Sequence, residues 1–247
     1  MNLYYLHLGL DYYDYIESNN DLRYEFQKHT NFIDDYFSKE IRKLKLKTDG
    51  TFKMIAISPT EFEIKKSSVV PDKALKVNLS FNKKRYEQIK ATEDCSYYLE
   101  LLEEGFKKAN DYKKIHLQEL LNVIQKFKDN DCKNEWQHKK KRSKSDDLEV
   151  ILNCEFTTNH FQLVAIINQI STKKELAKGV VMRTDTGSFI HEGMYKNILI
   201  DKDIIVTNGS DKPIIKINKK AALKGELKFK ILGDKEIKEI LSYGLDI

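Results

Sequence analysis

The sequence predicts an α+β protein of two lobes, an N-terminal α/β lobe with long helices and a mainly β C-terminal lobe. Three observations carry that reading. Apolar residues recur at helical spacing through much of residues 22–127, a basic stretch poor in apolar residues follows, and the apolar period then falls to two. The expected divisions are an α+β lobe over 1–131, a basic connector over 132–147 and a β-rich lobe over 148–247.

The stretch from Asp94 to Phe127 organises the first lobe. Tyr98, Leu102, Gly105, Ala109 and Tyr112 step by three or four residues and share one helical face. Leu117, Leu120, Leu121, Ile124 and Phe127 repeat the pattern. Asn110-Asp111 divides the run, so two helices are expected. Asp94 is the expected N-cap, and Lys126 and Lys128 suit the far end of the dipole. Gly105 costs roughly 1 kcal/mol relative to alanine inside a helix. Close approach to a sheet is the compensation expected.

Upstream, residues 1–10 suit a strand buried on both faces. Ser18-Asn19-Asn20-Asp21 caps a helix in which Leu22, Phe26, Ile33, Phe37, Ile41 and Leu44 recur, to about Lys45. Asp49-Gly50 is a turn signal. Strands are expected over 52–57 and 62–64, around Ser58-Pro59, and over 74–81. In the second lobe, Leu148, Val150 and Leu152 pair with Phe161, Leu163, Ala165 and Ile167 about Thr158-Asn159. Further short strands are expected over 180–183, 198–200, 204–207, 214–217 and 227–231, with a short helix over 235–242.

At 247 residues the chain can bury one large core or two modest ones, and 40% hydrophobic with 33% charged residues describes a polar-surfaced folded protein. The N-terminus lacks the basic start and cleavage site of a signal peptide. No apolar run approaches the roughly 20 residues that span a bilayer. Cys95, Cys132 and Cys154 are odd in number and without C-x-x-C spacing, so neither a disulfide framework nor a zinc site is expected. The cytoplasm is the expected address. The net charge of +5 is uneven: residues 1–131 carry 22 basic and 22 acidic side chains, whereas 132–147 carry six and three. A globally basic nucleic-acid binder would differ.

Motifs that could carry chemistry fail on spacing. His191-Glu192-Gly193-Met194-Tyr195 begins like a zinc-protease helix, but Tyr195 stands where the second histidine belongs. Arg183-Thr184-Asp185-Thr186-Gly187-Ser188 has cation, carboxylate and hydroxyls, yet neither P-loop spacing nor its lysine, so a hairpin connection is the reading adopted. No Gly-x-Ser-x-Gly elbow or Gly-x-Gly-x-x-Gly fingerprint occurs. No catalytic residue, metal ligand or cofactor is therefore expected.

Two stretches suit macromolecular contact. From Asp11 to Asp35 lie seven acidic side chains against Arg23 and Lys28, interleaved with Tyr12, Tyr13, Tyr15 and Tyr24. Tyrosine brings contact area and a hydroxyl at modest entropy loss. Asp11, Tyr12, Tyr13, Asp14, Tyr15 and Glu17 are the partner-binding candidates there. Trp136 beside Lys139, Lys140, Lys141 and Arg142 offers stacking and phosphate contacts, which adds Trp136 and Lys140.

The helix Tyr97-Tyr98-Leu99-Glu100-Leu101-Leu102-Glu103-Glu104-Gly105-Phe106-Lys107-Lys108-Ala109, followed by Asn134-Glu135-Trp136-Gln137-His138-Lys139, resembles segments of immunity proteins from bacterial polymorphic toxin systems. The resemblance covers about a quarter of the chain and carries over no contact residue. It implies a small cytosolic protein that binds and silences a cognate protein toxin, here by occluding its active site with the acidic, tyrosine-bearing face. The alternative is a nucleic-acid-associated protein that uses the basic Trp136–Arg142 connector.

Overall fold

The structure, a computed structural model, describes every residue except 91, 188–192, 194, 246 and 247. It divides into two compact units, Met1–Asn134 with Thr157–Asn159, and Glu135–Phe156 with His160–Ile247. The α+β class stands: the described residues form seven helices and three four-stranded sheets.

In the first unit the sheet order is β1-β2-β4-β3, with β1 (Tyr5–Leu8), β2 (Met54–Thr60) and β4 (Ala74–Ser80) parallel and β3 (Ser68–Val70) antiparallel at one edge. Parallel neighbours need a crossover. Between β1 and β2 it consists of the single turn α1 (Tyr12–Tyr15) and the long α2 (Asn20–Leu44). Asn19 caps α2 through its side chain, as the polar cluster predicts, and Lys45 closes it in the left-handed conformation, φ 53°. Three further helices follow, α3 (Lys83–Ile89), α4 (Ser96–Tyr112) and α5 (Leu117–Asp129). Phe26, Ile33, Phe37 and Ile41 of α2, Ile55 and Ile57 of β2, and Tyr98, Leu102 and Phe106 of α4 are completely buried. Each such side chain contributes about 1.5–3 kcal/mol on leaving water.

Gly105 meets its expectation. A Cβ built there would lie 2.5, 2.6 and 2.9 Å from three side-chain atoms of Ile57, so α4 rests on β2 at van der Waals distance only because the side chain is a hydrogen.

Four local readings are corrected. β1 is not buried on both faces: Leu6 and Leu8 enter the core, while Tyr5 is exposed beside Arg42 and His7 pairs with Asp34. β2 continues through Ser58-Pro59 to Thr60, because every one of its last six residues is buried, and residues 62–64 form no strand. The break between α4 and α5 comes three residues later than Asn110-Asp111, and Cys95 rather than Asp94 occupies the N-cap, Asp94 instead accepting the Ser96 N–H at 2.8 Å. Finally, Cys95 and Cys132 are joined in a disulfide, although no spacing rule in the sequence predicts one, and Cys154 is buried outside that bridge. The pairing follows from the fold. The helical hairpin α4–α5 brings its two ends together, 37 residues apart in the chain, with the Cα atoms 6.7 Å apart.

The second unit holds two antiparallel meanders. One has the order β5-β6-β7-β8, built from β5 (Asn134–Ser143), β6 (Leu148–Phe156), β7 (Phe161–Gln169) and β8 (Glu175–Thr184). Its β6–β7 register pairs Phe156 with Phe161, as the period-two pattern predicts. The other has the order β12-β11-β10-β9, from β9 (Asn197–Ile200), β10 (Ile204–Thr207), β11 (Pro213–Ile217) and β12 (Phe229–Ile231). Two short helices, α6 (Lys219–Ala222) and α7 (Lys235–Leu241), complete it.

The basic connector expected over 132–147 contains the division between the two units and is largely exposed, but it is not a loop. It is the edge strand β5 and the turn into β6. Burial alternates over 134–139, with Asn134 buried, Trp136 and His138 half-buried and Glu135, Gln137 and Lys139 exposed, and the strand then continues through exposed Lys140, Lys141 and Arg142. Lysine on an edge strand also deters pairing with other chains.

Candidate functional site

The candidate site lies at the carboxyl end of β1, where the sequence placed its acidic, tyrosine-bearing face. The chain leaves β1 at Asp11, whose Oδ1 accepts the Tyr13 N–H at 3.1 Å and so caps α1. Its Oδ2 lies 2.7 Å from Lys76 Nζ and accepts from Asn78 Nδ2 at 2.5 Å. Asp11 is fully buried. Burial would push its carboxyl up, but the bonds to Lys76 and Asn78 outweigh it and hold the group below the usual carboxylate range.

Asp14 is held in the same way. Its Oδ1 takes Lys65 Nζ at 2.7 Å and its Oδ2 accepts from Thr60 Oγ1 at 2.8 Å. Tyr15 turns inward, fully buried, and its hydroxyl accepts the Glu61 N–H at 3.1 Å. Burial pushes this phenol far above its ordinary range. Asp11, Asp14 and Tyr15 thus anchor α1 to β2, β4 and the segment after β2.

That anchoring decides which candidates remain presented. Tyr12 and Tyr13 point outward, 49% and 76% exposed, with their rings edge-on at 5.4 Å. Arg23, one turn into α2, sets its guanidinium 5.2 Å from the Tyr12 ring and 4.2 Å from that of Tyr24, which is 55% exposed. Lys76 Nζ lies 5.4 Å from the Tyr13 ring. Cation–π contacts of this kind stiffen exposed aromatics by about 0.5–1 kcal/mol each. Glu17 is exposed beyond α1.

The acidic character expected of this face is largely cancelled within the unit. Asp11 and Asp14 pair with Lys76 and Lys65, Glu25 with Lys90, Asp34 with His7 and Asp35 with Lys39. Glu25 also accepts from the Tyr86 hydroxyl. Asp11 and Tyr15 are therefore structural, and the surface offered is aromatic and cationic: Tyr12, Tyr13, Arg23 and Tyr24. In the sequence Arg23 stands out only as a charge against the acids. Lys76 and Asn78 were missed, although two polar residues inside the apolar run Ala74-Leu75-Lys76-Val77-Asn78-Leu79 are a readable sign of a buried polar partner.

In the second unit, Trp136 packs at 6.1 Å from Phe161, and His138 meets Tyr195 edge-on at 4.5 Å. Lys140 Nζ is 2.8 Å from Glu149, which also binds Arg142. Those two cations hold the Glu149 carboxyl low. Trp136 and Lys140, both candidate contacts, are thus engaged in their own sheet; all four cations of the strand are exposed, and Lys139 and Lys141 are the two outside the Glu149 ion pairs. In the Arg183 loop, Asp185 accepts the Gly187 N–H at 2.6 Å, a local turn bond, and Arg183 Nε donates to Gln162. His191, Glu192, Met194 and Ser188 lie outside the described residues. Among the described residues no group of three His, Cys, Asp or Glu side chains is placed to hold a metal, and no helix is long and apolar enough to cross a membrane.

No family model, curated protein or solved structure matches this chain.

Proposed function

We propose that the chain is an immunity-type protein that binds a cognate bacterial toxin and covers its active site, and that Tyr12, Tyr13, Arg23 and Tyr24 form its contact surface. One observation carries the reading: Arg23 stiffens exposed Tyr12 and Tyr24, and Lys76 stiffens exposed Tyr13, around a turn that the Asp11 and Asp14 carboxylates fix to the sheet. Tyrosine and arginine dominate the energetics of protein interfaces, and a preorganised patch loses little entropy on binding. A stoichiometric inhibitor needs such a surface and slow dissociation rather than reacting groups.

The internal pairing of the carboxylates changes the expected partner electrostatics. Association through this patch draws on burial and aromatic contact, so its affinity depends weakly on salt. The test is copurification and titration with the protein encoded by the adjacent toxin reading frame. Binding tighter than micromolar is expected, and the double change Tyr13→Ala with Arg23→Ala should weaken it by at least about tenfold. Absence of binding at micromolar concentration, or full affinity in the double variant, overturns the reading.

Exposed Lys139 and Lys141, two residues apart on β5, favour a second reading in which the strand contacts nucleic-acid phosphates. Two phosphate contacts would give a log–log salt slope of about −2. A flat salt response removes it.

A further inference from the structure

We propose that Cys95 and Cys132 form a reversible redox clasp that closes the open end of the α4–α5 hairpin. The two helices are joined at one end by residues 113–116, and the disulfide joins them at the other. The two cysteines differ in a way that suits exchange. Cys95 is buried at the N-cap of α4, whereas Cys132 is only half-buried, in the turn after α5. An incoming thiolate reaches Cys132 Sγ first. The thiolate that leaves is then Cys95, which meets the positive end of a 17-residue helix. A good leaving group makes such a bond readily exchangeable.

The position gives the clasp something to control. The Cys132 N–H bonds to the Phe127 carbonyl, and Phe127 packs its ring against Phe32, Tyr36 and Phe37 of α2. Two residues on, Asn134 donates to the Phe32 carbonyl and to Asp35, both at 2.8 Å, as the chain enters β5. Asp131 and Cys132 both hold left-handed backbone, φ 51° and 56°, a conformation that β-carbon-bearing residues leave when unconstrained. Opening the disulfide therefore loosens the turn of residues 130–133, while α5 stays seated through Phe127.

The chemistry is thiol–disulfide exchange with a low-molecular-weight disulfide. The Cys132 thiolate attacks one sulfur of oxidised glutathione and releases one glutathione thiolate. The Cys95 thiolate then attacks the Cys132 sulfur of the mixed disulfide and releases the second. Two protein thiols lose two electrons, one glutathione disulfide gains them, and the two protons pass to the glutathione thiolates. Reduction is the reverse.

The full chain is equilibrated in glutathione buffers from strongly reducing to strongly oxidising, quenched in acid, alkylated and mapped by mass. Cys95 and Cys132 should lose alkylation together across the series and regain it when the buffer is reversed. Cys154 should label only after unfolding. The oxidised form should melt higher, and the shift should vanish in the C95S/C132S variant. Free thiols at both positions in the most oxidising buffer overturn the clasp. So does a bond that persists in the most reducing buffer, which would make it a fixed staple, or a melting shift that survives in the double variant. The wild-type titration decides the matter by itself if the variant does not fold.

Discussion

The carboxylate of Asp34 faces His7 across the contact between α2 and β1, with Oδ2 2.9 Å from His7 Nδ1, while its Oδ1 accepts the Leu8 N–H at 2.8 Å. Burial alone would pull His7 down, but Asp34 outweighs it and leaves the imidazole above its usual 6.5. A folded value above the unfolded one means that the native state binds the proton more tightly. The stabilisation is complete below about pH 6.5 and fades as pH rises through the folded value. The melting temperature of the wild type should fall over that window more than that of His7→Gln. Parallel curves would exclude a part for the pair.

Thr30 and Ser38 lie one turn to either side of Asp34 on α2 and serve the same strand. Thr30 Oγ1 donates to the Leu8 carbonyl at 2.8 Å, and Ser38 Oγ accepts the Leu6 N–H at 3.1 Å. Thr30→Val keeps the shape and strands a buried carbonyl, at about 1–3 kcal/mol. Urea unfolding should show that loss. Asn31→Ala, on the same helix but half-buried, should cost less.

Gly105→Ala sets the helix propensity of alanine, about 1 kcal/mol in its favour, against overlap with Ile57. The overlap involves both branches of a completely buried side chain, so rotating the terminal methyl does not relieve it. A net destabilisation of about 1–3 kcal/mol is expected. Ile57→Ala in the same chain should recover part of it, a non-additivity that a double-mutant cycle measures.

Two neighbouring core tyrosines make opposite predictions. The Tyr98 hydroxyl is buried without a hydrogen-bond partner among the described residues, whereas that of Tyr86 meets His29 at 2.9 Å and Glu25 at 2.9 Å. Tyr98→Phe should be neutral or stabilising by up to about 1 kcal/mol, and Tyr86→Phe destabilising by about 1–2 kcal/mol. Thermal unfolding of the two variants separates them. A loss at Tyr98 equal to that at Tyr86 would contradict the burial of an unpaired hydroxyl.

Where the sequence was legible, one face of an element was apolar and the other was not. The α2 stripe, the seat of Gly105 and the β6–β7 register could be read for that reason. β5 was opaque because beyond Asn134 its first half alternates only between half-buried and exposed, and its lysine and arginine run is exposed throughout. At the candidate site, Tyr12 and Tyr13 could be found from composition, but not which carboxylates around them were spent. Asp11 finds Lys76 65 residues away, and Asp14 finds Lys65 51 residues away, through parallel strand order that local periodicity does not encode. The Cys95–Cys132 pairing was hidden likewise, since it depends on a helical hairpin closing.

Leu6 and Leu8 turn their outward N–H and C=O groups to Thr30, Asp34 and Ser38 in place of a neighbouring strand. A foreign polypeptide therefore meets no vacant ladder along that margin, and growth of this sheet by an added strand must begin beside β3 instead.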